Sequence, residues 1–177
     1  MGDPEQPSAA AATSATRSAE RRDLPALTEI YNHYVERTVA TFDLEPFTVD
    51  GRSAWFDHYA VTGPHRLLVS EHDHEVIGYA TSSTFRRKAA YDQSVETSVY
   101  LRPDRTGRGH GQALYLALLA ALADEPVHRA YAGVALPNDA SVRLHERLGF
   151  TSVGTFSHAG FKFGRYVDVQ WFERALP

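Results

Sequence analysis

The chain is 177 residues long, which suits one domain with a sizeable core. A hydrophobic fraction of 43% and a charged fraction of 23% are ordinary for a globular domain, while a net charge of -4 speaks against a general nucleic-acid binder and no apolar run approaches membrane-spanning length. The absence of cysteine removes disulfides, cysteine metal sites and any cysteinyl acyl-enzyme.

Ala, Ser, Thr and Pro dominate residues 1–16, and no basic region precedes an apolar core there. This composition predicts a disordered tail rather than a secretory signal, followed by one domain over residues 17–177 of a soluble cytoplasmic protein. Asp23 is placed to cap a helix whose first turn takes Pro25, with Leu24, Leu27, Ile30, Tyr31, Tyr34 and Val35 forming one stripe that should pack on a sheet. Phe42 and Phe47 follow in a loop, and Thr48 to Tyr59 predicts a second short helix whose Trp55 and Phe56 belong to the core. Arg66 to Ser70 and Glu75 to Ser82 predict a hairpin turning at His72-Asp73-His74. With no third ligand evident beside His72 and His74, no metal site is expected. Phe85 to Tyr91 is a cationic link in which Arg86 and Lys88 could meet an anionic group.

The segment from Ser94 to Asp124 is the most informative. Val95, Thr97, Val99 and Leu101 alternate with Glu96, Ser98 and Tyr100 as a strand with one apolar and one polar face. Gly107, Gly109 and Gly111 then strip side chains from a tight turn. From Gln112 a helix follows that is apolar nearly all round and should be buried. Bare amides at a helix N-terminus bind anions, so a phosphorylated cofactor is expected. The spacing G-x-G-x-G, without a following Lys-Ser or Lys-Thr, fits neither the P-loop nor the dinucleotide fingerprint. His128 to Leu136 is the next strand, which implies a parallel pair joined by a right-handed crossover. Asn138 caps a helix that runs through Leu148 and stops at Gly149. Phe150 to Phe156 and Tyr166 to Phe172 close the domain as an antiparallel pair around the glycine-bearing segment Ala159 to Gly164. The sum is an α/β (α+β) domain, with a mixed, mostly antiparallel central sheet flanked by helices and one parallel strand-helix-strand step.

Glu96, on the polar face of the central strand beside the glycine turn, is a candidate general base, acting directly or through water. His145, one turn from the end of the Asn138 helix, is a titratable donor.

Residues Val99 to Ala113 resemble the acetyl-CoA motif of the GNAT superfamily of N-acetyltransferases, Gln/Arg-x-x-Gly-x-Gly/Ala. Its glycines fall on Gly109 and Gly111 and its first position falls on Thr106, with Arg105 and Arg108 nearby. NDASVRLHERLGF is similar to a later motif of that superfamily, with His145 where a tyrosine commonly protonates the leaving coenzyme A. Read with YNHYVERTVATFDLEP, AAYDQSVETSVYLRP and AGFKFGRYVDVQW, the chain from about Asp23 to Glu173 resembles phosphinothricin N-acetyltransferases and their methionine sulfoximine acetylating relatives.

The resemblance implies the GNAT fold, acetyl-CoA as co-substrate, a small-molecule amine substrate and a homodimer. It further implies Glu96 as general base and His145 as second catalytic group. By the same resemblance Val99, Tyr100, Leu101, Gly107, Arg108, Gly109, His110, Gly111, Gln112 and Asn138 contact acetyl-CoA, and Phe42, Arg86, Lys88, Tyr91, Ser98, Gly133, Val169 and Trp171 line the amino-acid pocket. With no cysteine to carry the acyl group, direct transfer in a ternary complex is expected. The alternatives are acetylation of other amines, such as amino-acid amides, polyamines or protein N-termini, and a CoA-binding sensor without turnover.

Overall fold

The structure, a computed structural model, describes residues 14–177. Strands Ser14–Ser18 (β1), Leu67–His72 (β2), Glu75–Thr84 (β3), Ser94–Leu101 (β4), Arg129–Ala135 (β5), Thr151–Lys162 (β6) and Arg165–Ala175 (β7) form one seven-stranded sheet in the order β1-β2-β3-β4-β5-β7-β6. Helices Leu24–Arg37 (α1), Ser53–Phe56 (α2), His110–Leu122 (α3) and Asp139–Arg147 (α4) flank it. Neighbouring strands are antiparallel except β4 and β5, the parallel step expected from the strand-helix-strand order.

Each face of the sheet carries its own core. Leu27 and Ile30 of α1 pack on Leu67, Val69 and Tyr79 on one side. On the other, Leu114, Tyr115, Leu118 and Leu122 of α3 pack with Val95, Ala130, Ala132 and Phe172. The apolar periodicity of α3 overstates its burial, because a helix laid on one face of a sheet keeps an outer line, and Leu116 is 47% exposed there. The hairpin turn is as expected: His72 pairs with Glu75, and Asp73 and His74 take the positive φ of 51° and 66° that a two-residue turn between twisted strands requires.

Three boundaries differ from the sequence expectation. Residues 1–13 of the expected tail lie outside the described residues, but Ser14–Thr16 pair with Ser70–His72 as part of an edge strand. Asp23 does not cap α1 with its side chain. It lies 4% exposed, accepts from the Glu20 N–H at 2.7 Å and pairs with Arg17 at 2.7 Å. Burial alone would raise its pKa, but these hydrogen bonds outweigh it and hold the carboxyl below its ordinary value. The closing strands are longer than their apolar cores suggested, because β6 absorbs irregularities between Ser152 and Gly154 and between Phe156 and Gly160 as bulges.

Candidate active site

β4 stays paired with β3 along its whole length, from Val95 opposite Thr84 to Leu101 opposite Gly78. Its parallel pairing with β5 stops after three residues, at Glu96 opposite Tyr131, while β5 continues along β7 as far as Ala135. Past Glu96 the two strands therefore part, and main-chain groups of Thr97–Leu101 face a gap instead of a ladder. A cavity of about 600 Å³ fills this gap. Polar backbone left without a strand partner calls for another one, and a ligand rich in amides and oxygens can supply it.

The glycine bend forms one end of the cleft. Gly107 and Gly109 have φ of 73° and 83°, values that only glycine adopts at little cost, and a Cβ at either would meet nothing within 4 Å. The bend is thus open, and Gly109 is the N-cap from which α3 starts, two residues before the expected Gln112. Gly107, Gly109, Gly111 and Gln112 line the cavity together with Val99, Tyr100, Leu101 and Asn138. Arg108 and His110, expected alongside them, do not line it. The Asn138 Oδ1 accepts from the Ser141 N–H at 3.1 Å, capping α4 as expected. The Thr106 hydroxyl donates to Pro103 O at 3.1 Å within the bend.

His145 lines the same cleft but is 4% exposed, with both ring nitrogens engaged. Nδ1 lies 2.8 Å from Ser141 O, a carbonyl that can only accept, so Nδ1 carries the hydrogen and Nε2 of the neutral ring is an acceptor. Nε2 lies 3.3 Å from the Tyr115 hydroxyl, which donates to it, and the Tyr115 oxygen lies 2.5 Å from the Thr97 hydroxyl, whose single hydrogen is shared between Tyr115 and Tyr131 O at 3.0 Å. Burial pushes the His145 pKa down, and the hydrogen bond to Ser141 opposes it only partly. Tyr115 and Thr97 were not singled out in the sequence. Both read as members of an apolar face, and only the contact across two elements reveals the chain of hydroxyls.

Alternation along β4 sends Val95 and Thr97 toward α3 and Glu96, Ser98 and Tyr100 toward α1, where Tyr100 packs on Tyr31 and Tyr34. The Glu96 side chain and the glycine bend therefore meet only through the gap between β4 and β5, and Glu96 sits where that gap closes. Burial raises the Glu96 pKa, and the positive charge of Arg86 opposes the rise. Glu96 and His145 are not in contact, since Glu96 leaves β4 toward α1 while His145, on α4, lies on the α3 side.

The remaining expected pocket residues divide. Ser98 and Gly133 line the cleft. A Cβ on Gly133 would meet Trp171 and Val169 at 3.4 Å, which places those two side chains as a wall beside it. Phe85 stacks on Tyr131 at 4.2 Å and meets Tyr91 and Trp171 edge-on, so Phe85 and Tyr131 join the expected aromatics Tyr91 and Trp171. Arg86 and Lys88 are both exposed, with the Arg86 guanidinium 5.0 Å from the Phe85 ring. Phe42 does not line the cleft. Its ring covers Gly160 on β6, where a Cβ would come within 2.4 Å, and the Lys162 ammonium donates to Thr41 O at 2.8 Å beside it.

Residues 16–171 match the Acetyltransferase (GNAT) domain family. The chain belongs to the GNAT acetyltransferase family. It is 53% identical over 162 residues to the phosphinothricin N-acetyltransferase of Streptomyces coelicolor, covering 90% of this chain and 95% of the relative. It is 36% identical to the L-methionine sulfoximine/L-methionine sulfone acetyltransferase of Salmonella typhimurium, over 90% of this chain and 93% of that one. The solved GNAT superfamily phosphinothricin acetyltransferase of Sinorhizobium meliloti, in complex with AcCoA, superposes with a TM-score of 0.86 at 33% identity, over 93% of this chain and 89% of that chain. The GNAT protein described here is accordingly an acyltransferase. Among its described residues no group of three or more His, Cys, Asp or Glu is placed to hold a metal, and no helix is long and apolar enough to cross a membrane.

Proposed function

We propose that this protein transfers the acetyl group of acetyl-CoA to the α-amino group of a small amino acid of the phosphinothricin or methionine sulfoximine type, by direct attack in a ternary complex. One observation carries the reading: an open glycine bend stands at one end of a gap between parallel strands, and the last β4–β5 pair, from which Glu96 leaves toward the α1 face without lining the cleft, closes the other. The residues fit the co-substrate. Bare amides of Gly107–Gly111 at the N-terminus of α3 suit a diphosphate, and the unpaired edge of Val99–Leu101 suits the amides of a pantetheine arm. Acetyl-CoA supplies an activated thioester when bound. The chain supplies the rest.

Glu96 accepts the proton that the amine must lose, and burial, which raises its pKa, brings it nearer to the working range of a base. His145, on the α3 side of the cleft, accepts from Tyr115 through Nε2 and fixes that hydroxyl, and the departing thiolate takes the proton that the attacking nitrogen sheds as the C–S bond breaks. Arg86 offers a guanidinium to the acceptor's carboxylate, and Trp171, Val169 and Phe85 wall the amine's approach. The exposed aromatics Phe156, Phe161, Phe163 and Tyr166 on the β6–β7 hairpin support a homodimer built on that edge. The setting proposed is the cytoplasm.

The test is thiol release from acetyl-CoA with a panel of free amino acids, amino-acid amides, polyamines and peptides. Turnover with free amino acids carrying polar side chains, and initial rates that show both substrates bound before either product leaves, are expected. Activity on peptides alone, or ping-pong kinetics, would overturn the reading. Tight acetyl-CoA binding with no turnover on any amine would replace the enzyme with a CoA-binding module.

A further inference from the structure

A second cavity, of about 190 Å³, lies on the α1 face of the sheet. Its floor consists of cross-strand pairs between β3 and β4: Tyr79 opposite Tyr100, Thr81 opposite Ser98, and next in the series Ser83 opposite Glu96. Paired residues share a face, so the floor leads along the strands to the proposed base. Ser98 lines both this cavity and the cleft. At this size the cavity is smaller than a site that engulfs a whole drug-sized ligand, and it suits one end of a small molecule.

Two of its polar groups lack the partners that buried groups ordinarily have. The Tyr79 hydroxyl belongs to a residue 1% exposed and has no hydrogen-bond partner. Arg52 faces that hydroxyl, and its charge and donor contact oppose the effect of burial, but a guanidinium only donates, so the hydroxyl's own hydrogen has no acceptor. Arg52 is itself 4% exposed and forms no ion pair among the described residues. Its guanidinium lies over Trp55 at 3.7 Å and Tyr31 at 4.4 Å and donates once, to Leu27 O at 3.2 Å. The carboxylate of Asp43 lines the same cavity and accepts from the Tyr31 hydroxyl, but forms no ion pair with Arg52. A buried donor without an acceptor, beside a buried cation without an anion, marks a place where an oxygen from outside the chain belongs.

We infer that this cavity holds the side chain of the acceptor amino acid and selects side chains ending in a sulfone, sulfoximine or phosphinate oxygen, which accepts from Tyr79 and faces Arg52. The inference rests on the acetyltransferase reading above and deepens it: the amine stays near Glu96 while the side chain turns past Ser98 into the α1 face. Tyr79 and Arg52 are specificity residues here and do not touch the reacting atoms.

The test compares L-methionine sulfone with L-norleucine, which has a similar reach and no oxygen at its end, in the intact protein. The ratio of their kcat/KM values is measured in the wild type and in Tyr79→Phe, which removes one oxygen and keeps the ring. Loss of one hydrogen bond should lower the sulfone preference roughly three- to tenfold, mainly through KM. An unchanged ratio would overturn the inference. Calorimetric titration of both amino acids into the CoA-saturated protein separates this inference from the functional reading. Sulfone binding that weakens selectively in Tyr79→Phe, with no acetylation of any amino acid, would leave the compartment standing and overturn the enzyme. Equal weakening of both ligands, or no binding of the sulfone by the wild type, would overturn the compartment. Arg52→Lys, which keeps the charge but loses the stacked plane, should shift the same ratio in the same direction.

Discussion

The two faces of β4 treat their polar groups in opposite ways. Toward α3, the Thr97 hydroxyl, the Tyr115 hydroxyl and both nitrogens of His145 each have a partner, in a run of contacts that reaches from the carbonyl of Tyr131 to that of Ser141. Toward α1, Glu96 is held by no hydrogen bond from another side chain among the described residues, and the Tyr79 hydroxyl has no partner at all. A satisfied network stabilises and fixes a core, whereas an unsatisfied one is tolerated only where something else completes it. The α3 face therefore positions the cleft and the α1 face waits for an acceptor. Both roles come from a single strand because period-two alternation places neighbours such as Glu96 and Thr97 on opposite sides.

The contrast is broken most severely at Glu96. Glu96→Gln should lower turnover by about 10²- to 10⁴-fold while leaving acetyl-CoA affinity within about twofold, measured by thiol release and by calorimetry. A wild-type rate would remove Glu96 as base. Arg86→Gln acts on the same carboxyl more gently. Its charge favours the ionised form, so its removal should raise the Glu96 pKa further and move the acid limb of the pH-rate profile toward higher pH. An acid limb that stays in place would show that the two groups do not communicate.

On the α3 face the effect is on stability. Tyr115→Phe leaves the Thr97 hydroxyl and the His145 Nε2 without their shared partner, and denaturant unfolding should show a loss of about 1–3 kcal/mol. Tyr79→Phe removes a hydroxyl of the same kind that bonds to nothing, and should change stability by only about 0.5 kcal/mol in either direction. The pair of substitutions is the sharpest comparison, since the chemistry removed is identical and only the partners differ. Equal losses would mean that the two faces are alike.

Much of this was legible in the sequence, for reasons that differ along the chain. β4, the glycine bend and α3 follow from local rules: alternation, φ > 0 at glycine and a run of helix formers. The parallel step follows from the order of elements. The hairpin at Asp73-His74 and the Asn138 cap are equally local. The width of the cleft is not local, because it depends on β4 and β5 ceasing to pair after Glu96, and nothing in either strand's own pattern marks that point. Asp23 has the residue type and place of a cap, but Arg17, from an edge strand whose first residues, Ser14–Thr16, composition assigned to the tail, claims its carboxylate. The α1-face cavity was invisible for the same reason. Trp55 read as a core aromatic, nothing in the sequence singled out Tyr79 or Arg52, and only the fold brings the three around one space.

The smallest effect separates the faces by sign. The folded protein holds His145 below its ordinary pKa, so the unfolded chain binds the extra proton more readily. This residue's contribution is complete above the unfolded value near 6.5 and falls away as pH drops toward the lower folded value. Glu96 behaves in reverse. Its folded pKa is raised above the reference of 4.5, so its protonated form favours the fold, and stability is lost as pH rises from that reference through the folded value. Thermal midpoints followed from pH 4 to pH 7.5 should therefore fall less steeply toward acid in His145→Gln than in the wild type, and in Glu96→Gln should fall more steeply, since the opposing gain from Glu96 protonation is gone. Curves that moved in the same direction for both substitutions would show that the two groups share one electrostatic environment, and the division of β4 into a satisfied and a waiting face would not survive that result.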